Sequence, residues 1–94
     1  MPSPAATLRA LLEQPKLHVM PCCYDALSAK LIEQAGFDLT FMSGFAASAS
    51  RIGQPDLGLM SYGEVLDQAR NITDAVRIPL LADGDTGYGN AMNV

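Results

Sequence analysis

The segment Ile78-Pro-Leu-Leu-Ala-Asp-Gly-Asp-Thr-Gly-Tyr-Gly-Asn90 runs from a short apolar stretch straight into two carboxylates and then a glycine-rich turn. A short apolar run bounded by turn residues reads as a buried strand, here Ile78 to Asp83. If the chain stays extended from Leu80 to Asp85, alternation by two throws Asp83 and Asp85 to one side, roughly 6.5 to 7 Å apart. Mg²⁺ prefers one or two carboxylates plus water and substrate oxygens, so this pair suffices to begin a metal site. Gly84, Gly87 and Gly89 let the backbone come close to whatever the ion holds. The competing reading is a solvated Asp-Gly turn with no ligand. An EF-hand loop starting at Asp83 fails, because Gly87 stands where Asp or Asn is required and Tyr88 where Gly is. A P-loop fails because no Gly-Lys-Ser/Thr follows.

Upstream of this segment, Ser61 and Glu64 spell a capping box, and Val65, Ala69, Ile72 and Val76 follow at helical spacing, predicting a helix to about Ala75. Gln54-Pro55-Asp56 reads as loop, and Ala46 to Ile52 leaves a short helix and a tight coil both open. Leu39 to Met42 is apolar enough to be a central parallel strand, and it ends at Ser43-Gly44. Asp25 is a good N-cap for a helix over Ala26 to Ala35 that Gly36 stops. Leu27, Leu31, Ile32 and Ala35 form its expected inward stripe, with Lys30, Glu33 and Gln34 toward water. Leu17 to Met20 is expected as a first strand closed by Pro21, with Cys22 to Tyr24 as loop. Ser3 and Pro4 start a first helix that ends near Gln14. Downstream, Asn90 is placed to cap one more helix.

The order is helix, then strand, helix, strand, helix, strand. Parallel strands need such crossovers, so the repeated units predict an α/β sheet or barrel. Each strand delivers small or polar residues to its carboxyl end: Tyr24 and Asp25, Ser43 and Gly44, Asp83 and Asp85. That edge is where ligands bind in barrels and in open parallel sheets.

Composition narrows the function classes. The chain has 94 residues, 49% hydrophobic and 17% charged, with a formal net charge of -4. Six scattered Lys and Arg give no basic stripe, which excludes a nucleic-acid partner. No apolar run reaches about 18 residues and no charged-then-apolar leader is present, so a membrane partner is not expected and the expected location is cytoplasmic. Cys22 and Cys23 are adjacent, cannot build an ordinary cross-link, and read as small buried thiols. His18, the sole histidine, reads as a hydrogen-bonded structural residue.

Four blocks together carry a family resemblance: Tyr24-Asp25-Ala26-Leu27-Ser28-Ala29, Ser43-Gly44, Pro55-Asp56-Leu57-Gly58-Leu59, and Asp83-Gly84-Asp85-Thr86-Gly87-Tyr88-Gly89-Asn90. Their order and spacing resemble the isocitrate lyase and phosphoenolpyruvate mutase superfamily. The resemblance implies a (β/α)8 TIM-type barrel, a Mg²⁺ requirement that Mn²⁺ could meet, and chemistry on a small 2-oxo or 2-hydroxy carboxylic acid through a pyruvate-like enolate. It also implies a homo-oligomer, dimer or tetramer. A complete barrel needs about 250 residues, so 1–94 is expected to be the N-terminal portion of one barrel domain.

Carried over by motif, Asp83 is the implied direct metal ligand and Asp85 acts through the metal's waters. Ser43, Gly44 and Phe45 would donate to the substrate's oxygens, and Asp56 would approach the same site as a catalytic group. Tyr24 is a further substrate contact to test. A serine with no adjacent base is a poor nucleophile, which casts Ser43 as a donor. Within the superfamily, a carbon-carbon lyase of the methylisocitrate or dimethylmalate type is expected first and a phosphonomutase second. A third expectation is a fragment without activity of its own that holds only the metal corner. The Asp85-Thr86 step departs from the Asp-His of oxaloacetate decarboxylase-like members. The lyases' Lys-Lys-Cys-Gly-His type block, with its acid-base cysteine, would lie past Val94.

Overall fold

The computed structural model describes residues 2–93; Met1 and Val94, the two ends of the expected 1–94 barrel portion, lie outside the described residues. The elements are α1 (Pro4–Glu13), β1 (Cys22–Cys23), α2 (Ala26–Gln34), β2 (Thr40–Met42), α3 (Gly44–Arg51), α4 (Tyr62–Ala75) and β3 (Leu80–Ala82). The strands form one parallel sheet in the order β1-β2-β3, with Cys22 opposite Phe41 and Phe41 opposite Leu81.

Side-chain caps set most of the helix starts. Ser3 Oγ accepts from Ala6 N–H at 3.1 Å and opens α1. Asp25 and Ser28 form a reciprocal box at the head of α2, as Ser61 and Glu64 do at the head of α4. Each box satisfies N–H groups that a helix start leaves unpaired. Gly36 takes φ +96, a left-handed turn that stops α2 without a Cβ penalty.

The core lies between one face of the sheet and the pair α2 and α4. Cys23, Ala29, Met42, Ile72 and Val76 are buried together, with Ile32, Val65, Ala69 and Leu80 packed against them. Alternation sends Cys22, Phe41 and Leu81 to the opposite face. Burial pushes the Cys23 thiol above its ordinary pKa, as expected of a packed, unreactive cysteine. Cys22 departs from the expected burial and is exposed.

Three local expectations are corrected. The first strand is Cys22–Cys23, not Leu17 to Met20, because pairing with β2 begins at the Pro21 carbonyl, which accepts from Phe41 N–H at 3.1 Å and Thr40 Oγ1 at 2.9 Å. Leu17 is accordingly 91% exposed, and His18 Nε2 is buried with no hydrogen-bond partner among the described residues. On α2 the inward residues are Ala29 and Ile32, whereas Leu27 and Leu31 are 66% and 57% exposed. Ala29 fits where α2 meets the sheet and α4, and a leucine stripe would hold those layers apart. Glu33, finally, does not simply face water: its Oε2 accepts from the backbone N–H groups of Arg77 and Ile78 at 2.6 and 3.2 Å, fixing the entry to β3.

Both outer strands, β1 and β3, have one edge unpaired among the described residues, and exposed leucines lie on α1, α2 and the segment before β1. Unpaired parallel edges invite association. Expressed alone, the 94-residue polypeptide is expected to self-associate or to unfold without a cooperative transition. A single monomeric sedimentation boundary together with a sharp melt would contradict this.

Candidate active site

Three strand ends converge at the carboxyl edge of the sheet. At β1, the Tyr24 and Asp25 N–H groups both donate to Ser28 Oγ, and the Tyr24 carbonyl accepts from Gln68 Nε2 at 2.7 Å. Gln68 is buried on α4, and its Oε1 accepts from Arg51 Nη1 of α3 at 2.9 Å. Arg51 is held in turn by Asp67 at 3.0 Å. This chain ties β1, α3 and α4 together, and no sequence motif announces it.

At β2, the choice left open for Ala46 to Ile52 resolves as helix α3. Ser43 is its N-cap, with Oγ accepting from Ala46 N–H at 3.2 Å, so the hydroxyl proton remains free to donate. The N–H groups of Gly44 and Phe45 have no protein acceptor among the described residues, as expected of a helix's first turn. They aim a partial positive charge outward from the sheet edge.

At β3 the strand ends at Ala82, and the geometry corrects the alternation expected for the two aspartates. Asp85 has φ +43, and its N–H donates back to Asp83 Oδ1 at 2.9 Å. A turn built on the Asp83 side chain therefore relates the two residues, not an extended strand. Gly87 continues the turn with φ +95 and donates to the Gly84 carbonyl at 2.8 Å. Tyr88 takes φ +60, a conformation that costs a bulky residue energy, and its hydroxyl donates to the Asp83 carbonyl at 3.3 Å. Asn90 Oδ1 accepts from Met92 and Asn93 N–H, capping a single turn.

The other oxygen of Asp83 lies against α3. A Cβ built on Gly44 would stand 2.9 Å from Asp83 Oδ2, closer than carbon and oxygen normally approach. Glycine at position 44 thus makes room for the carboxylate, and no protein donor reaches Oδ2 among the described residues. Next to it, Asp56, Gly58, Asp85, Thr86 and Tyr88 line an open recess of about 410 Å³. A second, small cavity of about 10 Å³ shares Asp56, Gly58, Asp85 and Tyr88 with it and is also lined by Gly44 and Ser48. Local desolvation, then the charges of Asp83 and Asp56, push the carboxyl of exposed Asp85 above its ordinary value. Burial and the charges of Asp85 and Asp83 push the Tyr88 hydroxyl up as well.

Of the residues singled out in the sequence, Gly44, Asp56, Asp83 and Asp85 come together, with Ser43 at the adjoining cap. Tyr24 and Phe45 line a separate groove with Ala46, Ala49 and Ser50. Tyr88 was missed as an individual residue, although it stands inside the Asp83 to Asn90 block; nothing at its own position signals the turn that brings it back.

No three His, Cys, Asp or Glu side chains among the described residues are placed to cage a metal. Two or three mutually repelling aspartates beside an open recess fit a hydrated hard cation such as Mg²⁺, which keeps most of its waters.

Residues 8–94 match the phosphoenolpyruvate phosphomutase family. The chain is 47% identical over 90 residues to 2,3-dimethylmalate lyase of Eubacterium barkeri, covering 96% of this chain and 31% of that protein. It is 48% identical over 85 residues to the chloroplastic carboxyvinyl-carboxyphosphonate phosphorylmutase of Arabidopsis thaliana, covering 89% of this chain and 25% of that one. Among solved structures, phosphonopyruvate hydrolase in complex with oxalate and Mg²⁺ superposes with a TM-score of 0.89 at 42% identity, over 98% of this chain and 32% of the other. The chain therefore spans a quarter to a third of the length of these proteins.

The raised Asp85 pKa gives a signed expectation. Ionised Asp85 opposes folding; the opposition is complete above its folded-state pKa and is gone once the pH falls below its ordinary value of 3.8. In EDTA, the intact protein carrying Asp85→Asn is expected to melt higher than the parent at about pH 7, with the advantage vanishing near about pH 3. A lower melting temperature at neutral pH would contradict it.

Proposed function

Because the chain belongs to the phosphoenolpyruvate mutase and isocitrate lyase superfamily of enzymes, we propose that it is the N-terminal part of a (β/α)8 barrel that cleaves a carbon-carbon bond in a small 2-hydroxy or 2-oxo acid. The barrel reading is supported by the strand order. Strands in sequential order, with α2 and α4 on one face, continue naturally into a closed barrel, whereas a doubly wound sheet reverses its order and covers both faces.

The observation that carries the functional reading is the placement of Asp83 against the first turn of α3, with Asp85 and Asp56 lining the recess beside it. Asp83 and Asp85 would hold a divalent cation, Mg²⁺ or Mn²⁺, Asp83 directly and Asp85 through water. Such a cation, when bound, would offset the negative charge left on the 2-oxygen when its hydroxyl proton departs. The Gly44 and Phe45 N–H groups and the Ser43 hydroxyl proton would donate to the substrate's 2-oxygen and carboxylate. These donors are fixed before substrate arrives, so they cost no reorganisation as charge develops. In a lyase reaction the 2-hydroxyl gives up its proton, its oxygen becomes a carbonyl, and the electron pair of the broken bond passes to the neighbouring carbon, which is then protonated. No cysteine or histidine lines the recess among the described residues, so the proton donor is proposed to lie elsewhere in the protein.

The similarity to 2,3-dimethylmalate lyase supports that substrate as the first to test. The equally close phosphorylmutase keeps a phosphonomutase as the second reading. Pyruvate release from 2,3-dimethylmalate by the intact protein, with no turnover of phosphonopyruvate, separates them.

Within the lyase reading, Asp83→Ala is expected to lower kcat/KM by about 10³-fold or more, and Asp85→Ala by less, because a ligand acting through water is easier to replace. Ser43→Ala is expected to cost least, about tenfold, since two backbone donors remain. Wild-type rate and Mg²⁺ dependence in Asp83→Ala would overturn the assignment.

A further inference from the structure

Ser48 is the residue of α3 that this reading leaves without a role, although it is only 3% exposed and lines the small cavity that shares Asp56 and Asp85 with the recess. Its hydroxyl stands within donating reach of two successive carbonyls of the following loop, Gln54 at 3.0 Å and Pro55 at 3.3 Å, its single proton shared between them. Its own carbonyl accepts from the N–H groups of Ile52 at 3.1 Å and Gln54 at 3.4 Å. One buried residue therefore grips the chain where it leaves α3, just ahead of Asp56. The next turn is closed by Leu57 N–H donating to the Pro55 carbonyl at 2.9 Å, and Gly58 follows with φ +72.

We propose that Ser48 is a positioning residue that sets how close the Asp56 carboxylate stands to Asp85 and to the bound substrate. This rests on the reading of Asp56 as a site residue. The first turn of α3 abuts Asp83 through Gly44, and its second turn holds the Asp56 loop through Ser48. One short helix thus carries both contacts, Asp83 at its first turn and the Asp56 loop at its second. Loop 54–58 is otherwise exposed, so little else fixes it. Removing the hydroxyl leaves the Gln54 carbonyl to find water, while the Pro55 carbonyl keeps only Leu57 N–H, which lets the loop move outward. A displacement on the order of 1 Å is enough to cost a reaction tenfold or more.

A double-mutant cycle on the intact enzyme, using Mg²⁺-dependent pyruvate release from 2,3-dimethylmalate or, failing turnover, phosphonopyruvate consumption, tests this. Ser48→Ala is expected to lower kcat/KM about tenfold alone and less than about twofold in an Asp56→Asn background, because the two changes act through one group. A merely structural role would give the same factor in both backgrounds, and that result would overturn the proposal, as would wild-type activity in Ser48→Ala. A silent Asp56→Asn would instead remove Asp56 from the site and take the proposal with it, pointing to failure of the functional reading. Should Ser48→Ala impair folding, Ser48→Thr keeps the donor and is expected to restore the rate. Amide exchange at Gln54 and Leu57 in Ser48→Ala is expected to rise by about tenfold with the α4 amides unchanged. Equal acceleration across α4 would also overturn the proposal.

Discussion

The close approach of the Asp83 carboxylate to Gly44 is the constraint on which the site depends. One oxygen of Asp83 closes its own turn by accepting from Asp85 N–H, and the other lies where a side chain at position 44 would have to be. That contact makes the end of β3 and the start of α3 a single unit. It also sets an anionic group against the positive end of a helix dipole, an arrangement favourable for the carboxylate and for any anion that shares the space. The caps and the core exist, in effect, to hold these two chain segments at that separation. The sheet register aligns Met42 with Ala82, one residue before each of the segments that meet.

Much of the fold was legible because it is written in local chemistry. Ser3-Pro4, Asp25, the Ser61 and Glu64 box and Gly36 act within a few residues of themselves, and they placed α1, α2 and α4 to within a residue or two. β2 was legible because Leu39 to Met42 is mostly apolar and its one polar residue, Thr40, is β-branched. β1 was not. Cys22–Cys23 is a two-residue strand chosen by what β2 offers as a partner, and Leu17 to Met20 looks more strand-like in isolation. The inward face of α2 was misjudged for a related reason: Ala29, not Leu27 or Leu31, fits the narrow gap between helix and sheet, and only the packed neighbours define that gap.

The site was legible in its residues and not in its geometry. Gly44, Asp56, Asp83 and Asp85 could be picked out by motif, and the structure brings them to one edge. Alternation along a strand was the wrong device for the two aspartates, because a side chain that accepts from the backbone two residues on converts extension into a turn. Tyr88, Ser48 and the Gln68 and Arg51 link were invisible for another reason. Tyr88 acts through a left-handed backbone, Gln68 and Arg51 across long sequence intervals, and Ser48 across a loop to carbonyls six and seven residues on, and none has a spacing that reports it.

The account is tested most directly by Gly44→Ala in the intact enzyme. The added methyl meets the far end of the Asp83 side chain, so Asp83 can turn about its bond to Asp85 N–H at little cost to folding while losing its place at the helix start. If the protein has the Mg²⁺-dependent activity proposed above, the melting temperature should therefore stay within about 2 °C of the parent, while the Mg²⁺ concentration for half-maximal activity rises about tenfold or more. An unchanged Mg²⁺ requirement at unchanged stability would contradict the claim that Gly44 and Asp83 together build the site.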